Sequence, residues 1–322
     1  VAGSELYLFH ARFPFEQRNN IEREIVELFG RTDTSNGHRP RKAVLVATQV
    51  VEQSLDLDFD LMVSDPAPID LLLQRAGRLH RHSANTRPEK LQSPRLVITE
   101  PPRTDFGVPD FSFLSNVYED YILLRTHLAM TGCNAVSLPG DMENLIESVY
   151  GEKQPAAAPD EHWEKALEST FENLTANREK NKQRAKSSLI HPPSKDTLDI
   201  LEQRNIDLAD DEDPKTADVL RALTRLSGPT VQAVCLFETT HGTALDPEGE
   251  HPVLLDEKPA SALSIELLKR SLSISSPGLA AAILERQPDS PSGWRQNSML
   301  RHHRVLCFEN GETTISGYAL RL

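Results

Sequence analysis

The distribution of apolar residues indicates alternating strands and helices over the first hundred residues. Four short apolar runs have the length and composition of buried strands: ELYLF (5–9), AVLVA (43–47), DLMVS (60–64) and RLVIT (95–99). Between the first two runs, Ile21, Ile25, Leu28 and Phe29 repeat at helical spacing and predict a helix over Phe15–Phe29. Such alternation predicts an α/β layer with a parallel sheet, whose ligands bind at the carboxyl ends of the strands.

The pattern becomes helical from Leu114. The runs FLSNVYEDYILLRTHLAM and DMENLIESVYG both have helical character. A longer helix is predicted from about Asp160 to Lys186. Its apolar stripe consists of Trp163, Leu167, Phe171 and Leu174.

A smaller α+β unit is predicted after the acidic stretch DLADDEDP (207–214). It begins with an apolar strand at 230–238 and continues with helical patterns around 261–272 and 277–285. The runs VLCF and ISGYAL predict strands near the end of the sequence.

Composition is that of an ordinary globular protein, with 38% hydrophobic and 26% charged residues. No apolar run reaches the roughly 18 residues of a membrane span. The net charge of −13 argues against a whole face that coats nucleic acid, but basic residues cluster locally and leave room for a basic groove. One cluster is Arg178–Lys186, for which two interpretations are open: a surface lining a DNA path, or a solvated helix face.

The cysteines and the start of the chain indicate an intracellular setting. The three cysteines lie far apart without CxxC spacing, which argues against a zinc site and a disulfide framework. No secretory signal is visible, so a reducing cytoplasm is the simplest setting. The first residue is not Met and a strand begins by residue 5, so we expect the sequence to start inside a domain.

Two arginines, Arg78 and Arg81, follow a short predicted helix. Ile69, Leu72, Leu73 and Ala76 have helical spacing, and Gly77 falls where a helix end favours a left-handed residue. Paired guanidinium groups suit a polyphosphate, because each planar fork matches phosphate oxygens. The alternative is that these arginines pair with surface carboxylates.

The stretch from Ala43 to His82 resembles motifs V and VI of superfamily 2 helicases. In VATQVVEQSLDLDFD and PIDLLLQRAGRLHR it is most similar to the CRISPR-associated helicase–nuclease of type I interference systems. Upstream, LFHARFPFEQR resembles motif IV of that family. The three motifs occur in the family's order and cover about 80 residues.

The resemblance implies roles for individual residues. Arg78 and Arg81 match the motif VI arginines that reach the γ-phosphate of ATP. The nucleotide-site residues that it implies beside them are Gln74, Gly77 and Asp56. The residues that it places against single-stranded DNA are His10 and Arg12 from motif IV and Thr48, Gln53 and Ser54 from motif V. His10, Asp56 and Ser54 each have a purely structural alternative, as a strand-end residue or a cap on local backbone.

Other motifs of the family are missing from the sequence. There is no GxxxxGK[ST] phosphate loop, and no His-Asp doublet for the metal-dependent nuclease. The triplet Asp160-Glu161-His162 resembles a DExH magnesium motif, but it follows AAAP and introduces the long helix, so we interpret it as helix-start charge. His302-His303 is interpreted as surface, and no metal site is predicted.

The resemblance implies the fold class and the division into domains. The fold class is α/β, with a RecA-like parallel sheet flanked by helices, then a linker helix and a smaller α+β accessory domain. The domains implied are a second RecA-like domain (1–155), a linker helix with an acidic connector (156–215) and a C-terminal accessory domain (216–322).

The function implied is part of an ATP-dependent 3′ to 5′ translocase on single-stranded DNA in CRISPR interference. ATP with magnesium is the cofactor, bound mainly by a first RecA-like domain outside this sequence. The other partners are the nuclease domain and a surveillance complex with guide RNA. Two alternatives stay open: another superfamily 2 lineage acting on RNA or repair intermediates, and a non-catalytic binding or docking module.

Overall fold

The computed structural model describes residues 5–31, 39–52, 55–151, 158–187 and 230–321. The chain divides into two compact units, which are described separately. One comprises Val1–Ser64, Leu71–Thr99 and Gly228–Leu322, and the other Asp65–Asp70 and Glu100–Ser227. Among the described residues, no helix combines the length and the apolar character needed to cross a bilayer.

The alternating strands and helices predicted for the first hundred residues are confirmed. The elements are β1 (Glu5–Phe9), α1 (Phe15–Phe29), β2 (Ala43–Ala47), β3 (Leu61–Ser64), α2 (Ile69–Ala76) and β4 (Arg95–Ile98). β1 pairs with β2 and β3 with β4, both in parallel. The α/β class with parallel strands therefore agrees with the sequence.

One face of the β1–β2 pair carries a hydrophobic core. Phe9 from β1 packs with Ile25 and Phe29 from α1 and with Leu57 from the loop before β3. Burial of each such side chain contributes roughly 1.5–3 kcal/mol. This core fixes the carboxyl ends of β1 and β2 against α1.

The opposite face of these strands is open to solvent. Leu6 is directly opposite Val44, and Leu8 is opposite Val46. All four side chains are exposed, Leu6 to 74%. Parallel sheets are normally covered on both faces, so this uncovered apolar face is unusual.

The second unit is helical, as predicted, but the helix expected over the run from 113 begins only at Asp120, after a series of turns. Its helices are α3 (Asp120–Met130), α4 (Met142–Tyr150) and α5 (Glu161–Ser187). Trp163 and Leu167 of α5 pack against α3, and Leu174 is also buried. Phe171, the remaining member of the predicted stripe, is 47% exposed, and its ring lies 5.0 Å from that of Tyr121 on α3.

The C-terminal part is built around one central strand. Its elements are β5 (Val231–Thr239), β6 (Gly242–Ala244), α6 (Ser261–Lys269), β7 (Ser271–Ile274), α7 (Pro277–Arg286), β8 (His303–Phe308), β9 (Glu312–Ile315) and β10 (Tyr318–Arg321). β5 pairs with β6 and β7 antiparallel and with β8 in parallel. Successive side chains of β5 point to opposite faces of the sheet and pack into two separate hydrophobic cores. Ala233 belongs to one core and Val234 to the other.

Two local predictions in this part were wrong. The helix predicted to continue to residue 272 ends at Lys269, because the chain turns there into β7 beside β5. The predicted strand ISGYAL is a hairpin: Ser316 and Gly317 adopt left-handed φ angles of 46° and 86° between β9 and β10. The predicted domain boundaries at 155/156 and 215/216 lie outside the described residues and stay predictions.

Candidate nucleotide and nucleic-acid site

Two predicted DNA-contacting residues, His10 and Thr48, lie side by side at the carboxyl end of the β1–β2 pair. Phe9 and Ala47 are opposite each other in the ladder, so the next residue of each strand leaves the sheet at the same edge. The Thr48 amide donates to the Phe9 carbonyl at 3.3 Å. The Thr48 side chain is exposed and available to a ligand.

The His10 ring is held in place locally. Its Nδ1 accepts a hydrogen bond from the Arg12 amide at 3.0 Å, and the ring stacks on Phe13 with centroids 4.2 Å apart. Burial and the nearby Arg12 charge lower the pKa of His10 below its ordinary value. His10 is therefore neutral near pH 7 and offers Nε2–H as a donor, while the exposed Arg12 offers the charge.

Arg78 is buried and binds the main chain of the preceding loop. Its guanidinium donates to the Glu52 carbonyl at 3.2 Å and to the Leu55 carbonyl. Desolvation and the nearby Arg81 charge lower its pKa, against an opposing effect of Asp56. Arg78 thus holds the two carbonyls that flank positions 53 and 54.

Arg81 is more exposed and pairs with an acid. Its Nε lies 2.9 Å from an Asp56 carboxylate oxygen, which is also 3.0 Å from Nε2 of His82. The side chains of Arg81 and Asp56 are 42% and 52% exposed. An ion pair this exposed is worth at most about 1 kcal/mol, so a stronger anion can compete for the guanidinium.

A buried charged network supports the backbone that carries Arg81. Asp58 has no exposed surface and accepts from the Arg81 amide at 2.9 Å. It also accepts from Arg87 at 2.5 and 2.8 Å and from Asn85. Arg87 reaches Asp60 as well, at 2.7 Å. Burial acts to lower the pKa of Arg87, but the bonds to Asp60 and Asp58 outweigh it and raise the pKa.

A second pair connects helix α2 to the same loop. Arg75 donates twice to one carboxylate oxygen of Glu52, at 2.5 and 2.8 Å, and to the Ser64 hydroxyl at 2.6 Å. Both partners of this ion pair are largely buried. Glu52 therefore accepts hydrogen bonds from both arginines: from Arg75 at its carboxylate and from Arg78 at its main-chain carbonyl.

The prediction of a left-handed conformation at Gly77 was wrong. Its φ is not positive, and an added Cβ would meet only ordinary contacts, at 3.4 Å from the Gln74 carbonyl. His80 adopts the left-handed φ instead, at 49°. The main chain of Phe59 holds this turn: its amide donates to the Arg78 carbonyl, and its carbonyl accepts from the His80 amide. The Gln74 side chain is exposed on α2.

The remaining predicted site residues have separate outcomes. Gln53 and Ser54 lie outside the described residues. Asp160, interpreted as part of a helix start, accepts from the amides of His162 and Trp163 at 2.8 and 3.1 Å and thus caps α5 as expected. Within the described ranges, no three His, Cys, Asp or Glu side chains come close enough to hold a metal ion.

Sequence reasoning missed the supporting residues of this site. They are Glu52, Asp58, Arg75, Asn85 and Arg87. The available signal was the presence of Asp58 and Asp60 directly before the apolar run LMVS, because carboxylates that become buried require partners.

Two family models match the chain. The model described as "CRISPR-associated nuclease/helicase Cas3, C-terminal" matches residues 2–84, and the "Cas3 C-terminal domain" model matches residues 225–322. The first contains every predicted site residue. The chain belongs to the Cas3 family.

Relatives in the Cas3 family extend the match. A CRISPR-associated endonuclease/helicase Cas3 from Thermus thermophilus is 38% identical over 319 residues, which is 96% of this chain and 33% of the relative. The Cas3 of Escherichia coli is 38% identical over 152 residues, covering 47% of this chain and 16% of the relative. The chain thus spans about a third of the length of the first of these relatives.

Solved Cas3 structures have the same fold. A structure described as a CRISPR-associated protein matches with a TM-score of 0.84 and 38% identity, covering 98% of this chain and 33% of that one. T. fusca Cas3 with AMPPNP matches with a TM-score of 0.76 and 30% identity, covering 100% and 35%. A pre-nicking CRISPR RNA-guided surveillance complex contains a chain that matches with a TM-score of 0.70 and 30% identity, covering 98% and 35%. The predicted RecA-like fold class agrees with these Cas3 structures.

Proposed function

We propose that this chain supplies the arginine half of a composite ATP site in a DNA-translocating Cas3 motor. The observation that carries the proposal is the arrangement of Arg78 and Arg81, two neighbouring guanidinium groups that depend on different partners. The nucleotides named in several matched Cas3 structures support it. The phosphate loop and the magnesium carboxylates would come from a first RecA-like domain outside this sequence.

Arg81 is the group best placed to move to the γ-phosphate. Within the described structure, the only carboxylate that its guanidinium contacts is the half-exposed Asp56, and a polyphosphate carries more charge than that carboxylate. Asp56 would hold the free guanidinium in readiness between nucleotide cycles. Gln74 and Gly77 lie on and just after the helix that precedes the arginines, and they would support the nucleotide from there.

Arg78 would couple the nucleotide to the DNA grip. It bonds to the carbonyls of Glu52 and Leu55, and Gln53 and Ser54 lie between those residues in the sequence. Attraction of Arg78 toward ATP would therefore act on the ends of the proposed DNA-contacting segment. His10, Arg12 and Thr48 would contact the same strand at the edge of the sheet.

The surrounding partners are proposed by analogy with the family. The names of the relatives support a nuclease and a first motor domain in the complete protein, and a matched surveillance complex supports a complex with guide RNA as the recruiting partner. Translocation from 3′ to 5′ is proposed on the family resemblance. Family membership favours this lineage over other superfamily 2 helicases and over a non-catalytic docking module.

The decisive experiment measures DNA-stimulated ATP hydrolysis by the full-length protein. Arg81→Ala should lower kcat by roughly 10³-fold, the lower end of the effect of losing a γ-phosphate arginine. Arg78→Ala should lower kcat similarly and also weaken nucleotide-dependent DNA binding, because it releases the loop carbonyls. Arg95→Ala, which removes an exposed arginine from β4, is the matched control and should change neither quantity.

Retention of normal ATPase activity by both Arg78→Ala and Arg81→Ala would refute the arginine-finger role. Equal effects of the two substitutions on DNA binding would refute the separate coupling role of Arg78.

A further inference from the structure

The last three turns of helix α5 form a basic surface that the motor site does not use. Leu174 is buried, and every side chain from 175 to 186 is exposed. The segment Arg178–Lys186 has five basic residues and one acidic residue, a net charge of +4 in a chain of net charge −13. We call this segment the basic arm.

The basic arm has cations in excess of the acids that could neutralise them. Within the part of the chain that the structure describes, four of its cations form no ion pair: Arg178, Lys180, Lys182 and Lys186. The one acid of the arm, Glu179, is within 3.4 Å of the Gln183 amide nitrogen. The excess charge therefore faces solvent.

Three of these cations form one stripe along the helix. Arg178, Lys182 and Lys186 are four residues apart, which places consecutive charges about 6 Å apart along the axis and on one side. This spacing is close to that of consecutive phosphates in an extended polynucleotide strand. A strand that runs along the helix can meet one cation at each phosphate.

The chemistry of the arm selects among anionic partners. Residues 175–186 read TANREKNKQRAK and contain no aromatic or large apolar side chain. The arm therefore lacks the apolar face of a membrane-surface helix and the aromatic anchors of a tight protein interface. It also lacks stacking platforms for bases, which leaves contacts to the phosphodiester backbone.

We propose that the basic arm is a sequence-independent contact for the phosphate backbone of nucleic acid, separate from the motif residues and independent of ATP. The proposal rests on the proposed function only in taking nucleic acid as the ligand. Its surface favours phosphates over bases, so single-stranded and duplex DNA share the chemistry that it recognises.

The test is the salt dependence of DNA binding by the full-length protein, without nucleotide and with EDTA to prevent metal-dependent cleavage. The probes are a fluorescent 30-nucleotide oligo(dT) and a 30-base-pair duplex. The test variant is Arg178→Gln, Lys182→Gln and Lys186→Gln combined. The matched control, Lys90→Gln, Arg295→Gln and Arg321→Gln, removes the same charge from scattered exposed positions.

Loss of three phosphate contacts should lower the slope of log K against log salt by about 2 on the single strand or about 3 on the duplex. Raising the salt from 50 to 200 mM weakens the binding of oligo(dT) by both proteins. The factor by which the parent loses affinity should be roughly twenty times the factor for the test variant. The probe whose slope falls identifies the form of DNA that the arm contacts. A charge-preserving variant, Arg178→Lys with Lys182→Arg and Lys186→Arg, should keep the parent slope.

Coincident slopes for the parent, test and control proteins on both probes would overturn the proposal. Equal falls for the test and control variants would also overturn it, because they would reflect net charge alone. Glutamine favours helix, so circular dichroism should show the same helix content in all variants. No nucleotide is present, so the result does not depend on whether Arg78 and Arg81 act on ATP.

Discussion

The buried carboxylate of Asp58 offers the sharpest test of how the arginine loop is supported. Asp58→Asn removes the charge but keeps the shape and one acceptor oxygen. Removal of one partner from a buried ion pair costs about 3–5 kcal/mol, because the other charge stays buried. Arg87 keeps Asp60 at 2.7 Å after the substitution, which places the expected loss of unfolding free energy at the lower end, about 3 kcal/mol.

Asp60→Asn is the matched control for this substitution. Asp60 is 24% exposed and also pairs with Arg39 at 3.0 Å. When Asp60 is neutralised, Arg87 keeps the fully buried Asp58, and Arg39 keeps the amide oxygen of the asparagine as an acceptor and is partly exposed to water. The expected loss is therefore about 1 kcal/mol, in the range of a partly solvated pair. Urea unfolding followed by circular dichroism measures both losses, with the slope against urea checked for constancy.

The double variant Asp58→Asn with Arg87→Gln completes the cycle. Since most of the cost comes from the charge left behind, the double variant should lose about as much as Asp58→Asn alone and much less than the sum of the single losses. Equal losses for Asp58→Asn and Asp60→Asn, or strictly additive losses in the cycle, would refute the reasoning.

Three further predictions concern stability and reactivity. Of the two residues Gly77 and His80, only His80 has a left-handed φ. In the same urea assay, Gly77→Ala should therefore change the unfolding free energy by less than about 1 kcal/mol, whereas His80→Val should lower it by more than that. Burial and the nearby Arg103 charge lower the pKa of His127, so the unfolded chain binds more protons and stability should fall as the pH drops below about 6.5. His127→Gln should flatten that fall in thermal melts between pH 5 and 7.5, and an unchanged slope would contradict the assignment. Iodoacetamide at pH 8 should label the exposed Cys133 but not Cys235, whose pKa burial raises to about 12, and mass spectrometry of the native protein decides this.

The sequence pattern predicted those elements whose bounds depend on neighbouring residues rather than on contacts with distant parts of the chain. The helix Phe15–Phe29 was predicted with its observed bounds, because Pro14 and Gly30 flank a run with clear helical spacing. The hairpin at Ser316 was missed because a serine in a left-handed conformation has no strong sequence signal. The end of α6 at Lys269 depends on the pairing of β7 with β5, which lies about 40 residues away in the chain.

In the candidate site too, residues of a contiguous motif could be predicted, whereas partners that only the fold brings together could not. Arg78 and Arg81 could be singled out because their motif is contiguous. The partners of Arg78 could not, because main-chain carbonyls leave no trace in a residue pattern. The Asp58–Arg87 pair joins residues 29 positions apart, and only the folded chain brings a loop before β3 next to the segment after Arg81.

The open face of the β1–β2 pair has a practical consequence for work with this polypeptide. The exposed side chains of Leu6, Leu8, Val44 and Val46 form a continuous apolar surface. Among the described residues, β1 and β2 pair only with each other, so their outer edges can also accept a further strand. A recombinant product limited to these 322 residues should therefore self-associate in solution and form oligomers whose size grows with concentration. Val44→Thr and Val46→Thr would keep the strand preference and make that surface more polar. This pair of changes is a rational first step toward a monodisperse sample.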